Sequence, residues 1–220
     1  MNRSEICRQI ERVGIVPVIR ARTPELALQA VEAIVAGGIT VIEVTMTVPK
    51  AVMLVKEVCK RYGPSLLVGA GTVLDPASVT ACIDAGAQFI VSPKLDFETI
   101  RTSHQMGRPA IPGALTPTEI MSAFDAGAEI VKVFPCSAVG GPSYIRSIRG
   151  PMPWAKLLPT GGVSLTTARD YVHAGAVALG VGSDLVDIGA IEGGDAKIVT
   201  QRAKELLAIV NEARASLKGS

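Results

Sequence analysis

The chain has 220 residues, of which 48% are hydrophobic, 19% charged and 4% aromatic, and its formal net charge is +2. This length predicts one globular domain, and the near-neutral charge with few aromatic rings argues against a nucleic-acid or polybasic membrane surface. The four cysteines form no CxxC pair, so neither a zinc site nor a disulfide framework is expected. With no signal-peptide core and no apolar run that could span a bilayer, we predict a cytoplasmic protein without a membrane partner.

Short apolar runs alternate with helical segments along the chain. An amphipathic helix at 2–12 ends before Gly14 and is followed by the first strand, at 15–19. A capping residue followed by proline, as in Thr23-Pro24 and Asp75-Pro76, marks several helix starts. The other predicted strands are 40–45, 66–69, 88–91, 110–112, 128–135, 156–158 and 178–181, and the other helices are 23–36, 49–61, 75–86, 97–105, 116–127, 143–148, 164–175 and 196–217.

These segments make eight strand–helix units with an internal repeat. Ala-Gly-Gly at 36–38 and Ala-Gly-Ala at 85–87, 126–128 and 174–176 each end a helix and lead into an even-numbered strand. Even spacing of this kind favours an α/β fold, a single (β/α)8 TIM barrel with an N-terminal helix, over residues 1–220. A doubly wound open sheet is the alternative, although no GxGxxG motif follows the first strand.

One lysine, Lys132, lies inside the apolar run 128–135. An ammonium group in an apolar interior is costly, and the usual escape is loss of the proton, which leaves an amine that attacks carbonyl groups. The run therefore indicates Schiff-base chemistry. The alternative is a lysine on an edge strand, or one that extends its amine to water.

The carboxyl ends of barrel strands carry the working residues in this kind of fold. Glu43 lies among Val41, Ile42 and Val44, so its carboxylate must be paired or protonated, and Lys132 is the expected partner across the barrel. Such a pair can move protons during carbonyl chemistry, or it can be a structural ion pair in the core. The remaining candidates at strand ends are Arg20, Thr45, Thr47, Thr72, Pro93, Phe134 and Thr160.

Glycine-rich turns follow the last two predicted strands. Gly161-Gly162 comes after the seventh strand, and Gly182-Ser183 after the eighth. Barrels often bind phosphate at this corner through backbone N–H groups, so the two turns together predict a phosphate site. Ordinary tight turns are the alternative.

Five motifs resemble one known family. Gly38-x-x-x-Ile-Glu-Val-Thr45, Val68-Gly-Ala-Gly-Thr-Val73, Phe89-Ile-Val-Ser-Pro93, Val131-Lys-Val-Phe-Pro135 and Pro159-Thr-Gly-Gly-Val163 are similar to the 2-keto-3-deoxy-6-phosphogluconate (KDPG) / 4-hydroxy-2-oxoglutarate aldolases. The resemblance covers nearly the whole chain. It implies a class I aldolase on a homotrimeric (β/α)8 barrel, which splits a keto acid into pyruvate and a phosphorylated aldehyde without a metal or other cofactor.

The resemblance also implies residue roles. Lys132 would be the Schiff-base lysine and Glu43 the proton shuttle. Thr72 would lie near the pyruvate carboxylate, and Gly161, Gly162 and Ser183 near the phosphate. Thr160 would line the substrate pocket, to which we add Pro93 and Phe134 at their strand ends.

Two positions depart from the family pattern. Cys136 stands where a serine, alanine or glycine is more usual, and Thr47 stands where many members carry a carboxylate-binding arginine. A subset with Thr-Val-Pro at this place carries an arginine at the end of the first strand instead, which Arg20 matches; a surface ion pair is the alternative role for Arg20. Two other functions stay open on the residues alone: a phosphate-binding isomerase or epimerase, and a non-catalytic trimeric barrel used as an assembly unit.

Overall fold

Parallel strands and surrounding helices build the structure, a computed structural model that describes residues 1–218. The strands within this range are β1 Ile15–Ile19, β2 Val41–Thr45, β3 Leu67–Gly71, β4 Phe89–Val91, β5 Ala110–Ile111, β6 Gly113–Ala114, β7 Val131–Val133, β8 Leu157–Pro159 and β9 Leu179–Val181. The α-helices are α1 Arg3–Val13, α2 Pro24–Ala36, α3 Ala51–Tyr62, α4 Pro76–Asp84, α5 Phe97–Gln105, α6 Pro117–Asp125, α7 Pro142–Arg149, α8 Ala168–His173, α9 Ile188–Glu192 and α10 Lys197–Lys218.

The strands form two parallel sheets. The curled six-stranded sheet has the order β5-β4-β3-β2-β1-β9, and the three-stranded sheet has the order β6-β7-β8. The strand predicted at 110–112 is present as β5, which ends before Pro112 and pairs with β4. A second short strand, β6, follows Pro112 outside the predicted range and pairs with β7. A single parallel bridge between Thr160 and Gly180 connects the end of β8 to β9. The parallel α/β fold is thus confirmed, with its strands divided between two sheets.

The two faces of the strands have different neighbours. Successive strand side chains point to opposite faces. One face packs beneath the helices in the main core, while the first inward residues of the strands meet Ile6, Cys7 and Ile10 of α1. The other buried residues of that cluster are Val16, Val41, Leu67, Phe89, Val91, Ile111, Ile130, Leu158 and Ala178. Helix α1 therefore fills one end of the strand assembly with apolar side chains.

Helix starts agree with the sequence except in the last third of the chain. The side chains of Thr23, Asp75 and Thr116 accept hydrogen bonds from backbone N–H groups in the first turns of α2, α4 and α6. The helix predicted from residue 164 begins only at Ala168, because Ser164 lies in a turn in which its N–H donates to the Thr167 hydroxyl. Helix α9 was not predicted. Among residues 1–218, no helix combines the length and apolar composition needed to cross a membrane.

Candidate active site

Lys132 lies in the middle of β7, in register with Gly113 of β6 and Leu158 of β8. Only 2% of the residue is exposed, so its amine does not reach out to water as a snorkelling lysine would. The Nζ atom is 3.9 Å from Oε1 of Glu43 and 5.3 Å from the centre of the Phe134 ring. The structure therefore brings the amine of Lys132 and the carboxylate of Glu43 together, as the sequence predicted.

Glu43 occupies the matching inward position of β2 and is 1% exposed. Its Oε1 is buried and has no hydrogen-bond partner among the described residues. Gly71, at the end of the neighbouring strand β3, makes room for this carboxylate, since a Cβ atom there would lie 1.8 Å from Oε1. A buried polar atom without a partner is rare in native proteins, and here it faces the lysine amine.

Thr160 supplies a second unpaired polar atom. The residue is 4% exposed, and its Oγ1 has no hydrogen-bond partner within residues 1–218. Gly180 on β9 leaves the space that this hydroxyl occupies, since a Cβ atom there would lie 2.0 Å from Oγ1. The sequence did not reveal these space-making glycines, although a glycine at an inward strand position was the available signal.

Thr72 follows β3 in a strained backbone conformation, with φ at 57°. A β-branched residue in this left-handed region is unusual, and such strain persists where the surroundings fix the backbone on both sides. The carbonyl of Gly71 accepts a hydrogen bond from Met46 at 2.7 Å, and the N–H of Val73 donates to Val91 at 3.2 Å. Strained residues of this kind cluster at ligand sites, which fits the position predicted for Thr72.

Pro93 and Phe134 are both half-buried at the ends of their strands. Gly113 allows the backbone of Pro93 to approach closely, since a Cβ atom there would lie 2.4 Å from the carbonyl oxygen of Pro93. Phe134 leaves β7 two positions after Lys132 and therefore on the same face, where its ring meets the lysine amine.

Arg20 follows β1 and continues its inward series after Val16 and Val18. Its side chain makes no hydrogen bond or ion pair with any described residue, so the surface ion pair considered from the sequence is not formed within residues 1–218. It lines a cavity of about 480 Å³ with Gly182 and Ser183, and one of about 370 Å³ with Thr47. Thr72, the expected neighbour, lines neither cavity.

The two glycine-rich turns lie side by side because the Thr160–Gly180 bridge joins their strands. Gly161 and Gly162 have φ values of 92° and 74°, and a Cβ atom on Gly162 would lie 2.4 Å from that of Ser137. Both constraints require glycine at position 162. Ser183 is exposed in the second turn. The turns therefore form one corner beside the inward face, as predicted.

Other candidate groups lie outside this arrangement. Lys94, a second lysine near the end of a strand, follows β4. It is half-exposed and its Nζ is 2.8 Å from Asp96, an ion pair that holds the pKa of that carboxyl below its usual value. Cys136 is buried under the glycine turns, and burial raises the pKa of its thiol to about 11. Within residues 1–218, no group of three or more His, Cys, Asp or Glu side chains could hold a metal ion. That the reaction needs no metal remains a prediction.

A buried lysine beside a buried carboxylate, both on the inward face of parallel strands, fits a site for carbonyl chemistry. Comparison with known proteins identifies the family. Residues 6–202 match the family described as "Aldolase: KDPG and KHG aldolase", to which the chain therefore belongs. The members of this family are carbon–carbon lyases, so the chain is an aldolase.

Three similar proteins illustrate the range of the family. The KHG/KDPG aldolase of Escherichia coli K12 is 38% identical over 191 residues, which cover 87% of this chain and 89% of the relative. The 2-dehydro-3-deoxy-6-phosphogalactonate aldolase of the same strain is 34% identical, with 81% and 87% covered. A crystal structure of KDPG aldolase from Legionella pneumophila, with pyruvate captured as a covalent carbinolamine, has a TM-score of 0.84 at 31% identity and covers 91% and 97%.

Proposed function

We propose that this protein is a class I aldolase that cleaves KDPG into pyruvate and glyceraldehyde 3-phosphate, and that 4-hydroxy-2-oxoglutarate, which yields pyruvate and glyoxylate, is a second substrate. The observation that carries this proposal is the buried pair of Lys132 and Glu43, 3.9 Å apart, with a carboxylate oxygen that has no partner among the described residues. The carbinolamine captured in the Legionella relative supports covalent catalysis by a lysine.

The reaction begins when the amine of Lys132 attacks the C2 carbonyl of the keto acid. The carbinolamine loses water to give an iminium ion, which is a stronger electron acceptor than the ketone. Glu43 takes the proton of the C4 hydroxyl as the C3–C4 bond breaks, and the bonding electrons move into an enamine while the aldehyde leaves. Glu43 then returns a proton to C3, and water hydrolyses the imine to release pyruvate and the free amine.

We propose the remaining roles from position. The guanidinium of Arg20, which forms no hydrogen bond or ion pair with another described residue, binds the carboxylate of the keto acid together with Thr72. Thr160, Pro93 and Phe134 line the pocket around the reacting carbons. The backbone of Gly161 and Gly162 and the Ser183 hydroxyl hold the phosphate at the corner beside β8 and β9.

We also propose that the eight strand–helix units close into a single barrel over residues 1–220 and that three chains assemble as a homotrimer. Two observations support closure: the Thr160–Gly180 bridge joins the two sheets at one edge, and only Pro112 lies between β5 and β6 at the other. The exposed side chains of Met53, Leu74 and Phe97, on successive units, support assembly. A solution mass three times that of the chain is expected, and a monomer would contradict it. A cytoplasmic location stays a prediction.

Reductive trapping tests the proposed chemistry. Incubation with pyruvate and borohydride should attach one reduced pyruvate per chain, and peptide mapping should place it on Lys132. Lys132→Arg keeps a positive charge beside Glu43 but cannot form the imine, so it should give no adduct. Lys94→Arg is the matched control and should be labelled as fully as the unaltered protein. An adduct on Lys94, or none in the unaltered protein, would refute the proposal.

A further inference from the structure

Two side chains from the α8 segment hold the turn at Gly161 and Gly162. The Thr167 hydroxyl donates a hydrogen bond to the carbonyl oxygen of Gly162 at 2.8 Å and accepts one from the N–H of Ser164 at 2.9 Å. The Tyr171 hydroxyl, about one helical turn further on, donates a longer bond of 3.4 Å to the carbonyl oxygen of Gly161. Both glycine carbonyls are therefore held toward α8.

This arrangement fixes the direction of two backbone N–H groups. The only cis peptide among the described residues is Phe134–Pro135, so the turn peptides are trans, and in a trans peptide the C=O and N–H bonds point in opposite directions. The Gly162 carbonyl shares its peptide with the N–H of Val163, and the Gly161 carbonyl shares its peptide with the N–H of Gly162. These two N–H groups therefore point away from α8, and neither donates a hydrogen bond to any described residue.

The Thr167 hydroxyl is not used to start its own helix. Thr167 is the residue before α8, where a threonine side chain commonly accepts a hydrogen bond from the first helical turn. Here its side chain makes no such bond and is committed to the preceding turn instead. A role in the glycine turn thus explains the hydroxyl where helix capping does not.

We propose that Thr167 is a positioning residue for phosphate binding, with Tyr171 in a supporting role. By holding the glycine carbonyls, these hydroxyls aim the N–H groups of Gly162 and Val163 at the phosphate of the substrate. The inference rests on the proposed aldolase function and deepens it, because it names side chains that act on the phosphate only through the backbone.

Substitutions at Thr167 separate the hydroxyl from the bulk of the side chain. Thr167→Val removes the hydroxyl at nearly constant volume, and Thr167→Ser keeps it. Thr166→Val is the matched control, because the exposed Thr166 hydroxyl shares a hydrogen bond with the Ser164 hydroxyl and forms none with the glycine turn. Each variant is assayed for kcat and KM on KDPG and on 4-hydroxy-2-oxoglutarate, and for competitive inhibition of KDPG cleavage by inorganic phosphate.

Thr167→Val should raise the KM for KDPG and the inhibition constant of phosphate roughly five- to thirtyfold, the effect of unpairing a carbonyl and an amide. The KM for 4-hydroxy-2-oxoglutarate, which has no phosphate, should change much less. Thr167→Ser should restore most of the loss, and Thr166→Val should behave as the unaltered protein. Should Thr167→Val fold poorly by circular dichroism, Tyr171→Phe gives the same test, with a smaller shift in the same direction.

The outcomes distinguish this inference from the proposed function. Equal KM increases on both substrates, or no rescue by serine, would show that Thr167 is merely structural and would overturn the inference. If phosphate inhibits the unaltered protein and Thr167→Val equally, the inference is also overturned. The proposed phosphate site at the two glycine-rich turns would then be unaffected. If phosphate does not compete in the unaltered protein, the phosphate corner itself is wrong and the inference fails with it.

Discussion

The inward face of the same strands is apolar at one end and polar at the other. Near the start of the strands, Val41 and Leu158 pack with Ile10 of α1 and exclude water. Two residues further along the same strands, the inward positions hold Glu43 and Thr160, whose buried oxygen atoms have no hydrogen-bond partner in the described part of the chain. The first end resembles any protein core, whereas the second tolerates polar atoms that a core would exclude.

This difference separates stability from activity along one set of strands. Apolar burial near α1 contributes folding free energy in proportion to the area removed from water. The buried lysine–carboxylate pair contributes little or nothing to stability, since ion pairs in cores are often no better than apolar side chains of similar volume. The proposed chemistry explains its location at the polar end. Substitutions at the polar end should therefore lower activity, and substitutions at the apolar end should lower stability.

The largest expected effect is at the polar end. Glu43→Gln should lower the turnover of KDPG by ~10²–10⁴-fold, because a positioned acid–base group is lost while the shape of the side chain is kept. Exchange of the methyl protons of pyruvate with solvent should slow in parallel. The comparison also predicts that thermal stability changes little. Normal proton exchange in this variant would remove Glu43 from the mechanism.

Substitution at the apolar end should lower stability and leave activity unchanged. Ile10 is fully buried against the starts of the strands, so Ile10→Ala should lower the free energy of unfolding by about 2–5 kcal/mol through lost burial and a cavity. Measured well below its unfolding temperature, this variant should keep its kcat and KM. Ile10→Val, which removes one methylene, should cost only about 0.5–1.5 kcal/mol. A large loss of kcat in a folded Ile10→Ala protein would contradict the claim that the apolar end serves stability alone.

The sequence predicted the polar residues of the site better than the packing and turns that surround them. A charge inside an apolar run is a local signal, so Lys132 and Glu43 were found without knowledge of the strand order. The room that Gly71 makes for Glu43 depends on a contact between neighbouring strands, which no local pattern reveals. The same limit explains the start of α8: Ser164 was a reasonable cap, but Thr167 bonds to Gly162 and keeps the intervening residues in a turn. Pro112 could be read from the sequence as the end of a strand. That the residues before it pair with β4 and those after it pair with β7 depends on the fold.

The smallest effect expected concerns Arg20, which we propose binds the carboxylate of the keto acid. Its guanidinium has no partner among the described residues, and it borders both Thr47 and Ser183. If it binds the keto-acid carboxylate, Arg20→Ala should weaken pyruvate binding by about 10- to 100-fold, the range for a charge-assisted hydrogen bond. Arg20→Lys should recover only part of this loss, because a lysine cannot donate the two parallel bonds that a carboxylate accepts.

The Arg20→Ala variant also tests whether Arg20 binds the phosphate instead of the keto-acid carboxylate. Thr47→Arg added to Arg20→Ala should restore some pyruvate binding, since it returns a guanidinium from the turn after β2, the strand that pairs with β1. Inhibition by inorganic phosphate should be nearly unchanged in Arg20→Ala if the glycine turns and Ser183 carry the phosphate by themselves. Unchanged pyruvate affinity together with weaker phosphate inhibition would move Arg20 to the phosphate corner and leave the carboxylate to Thr72 and backbone donors. The polar end would then hold its two anions by different means, one by a side-chain cation and the other by amide N–H groups fixed in the strained backbone after β3.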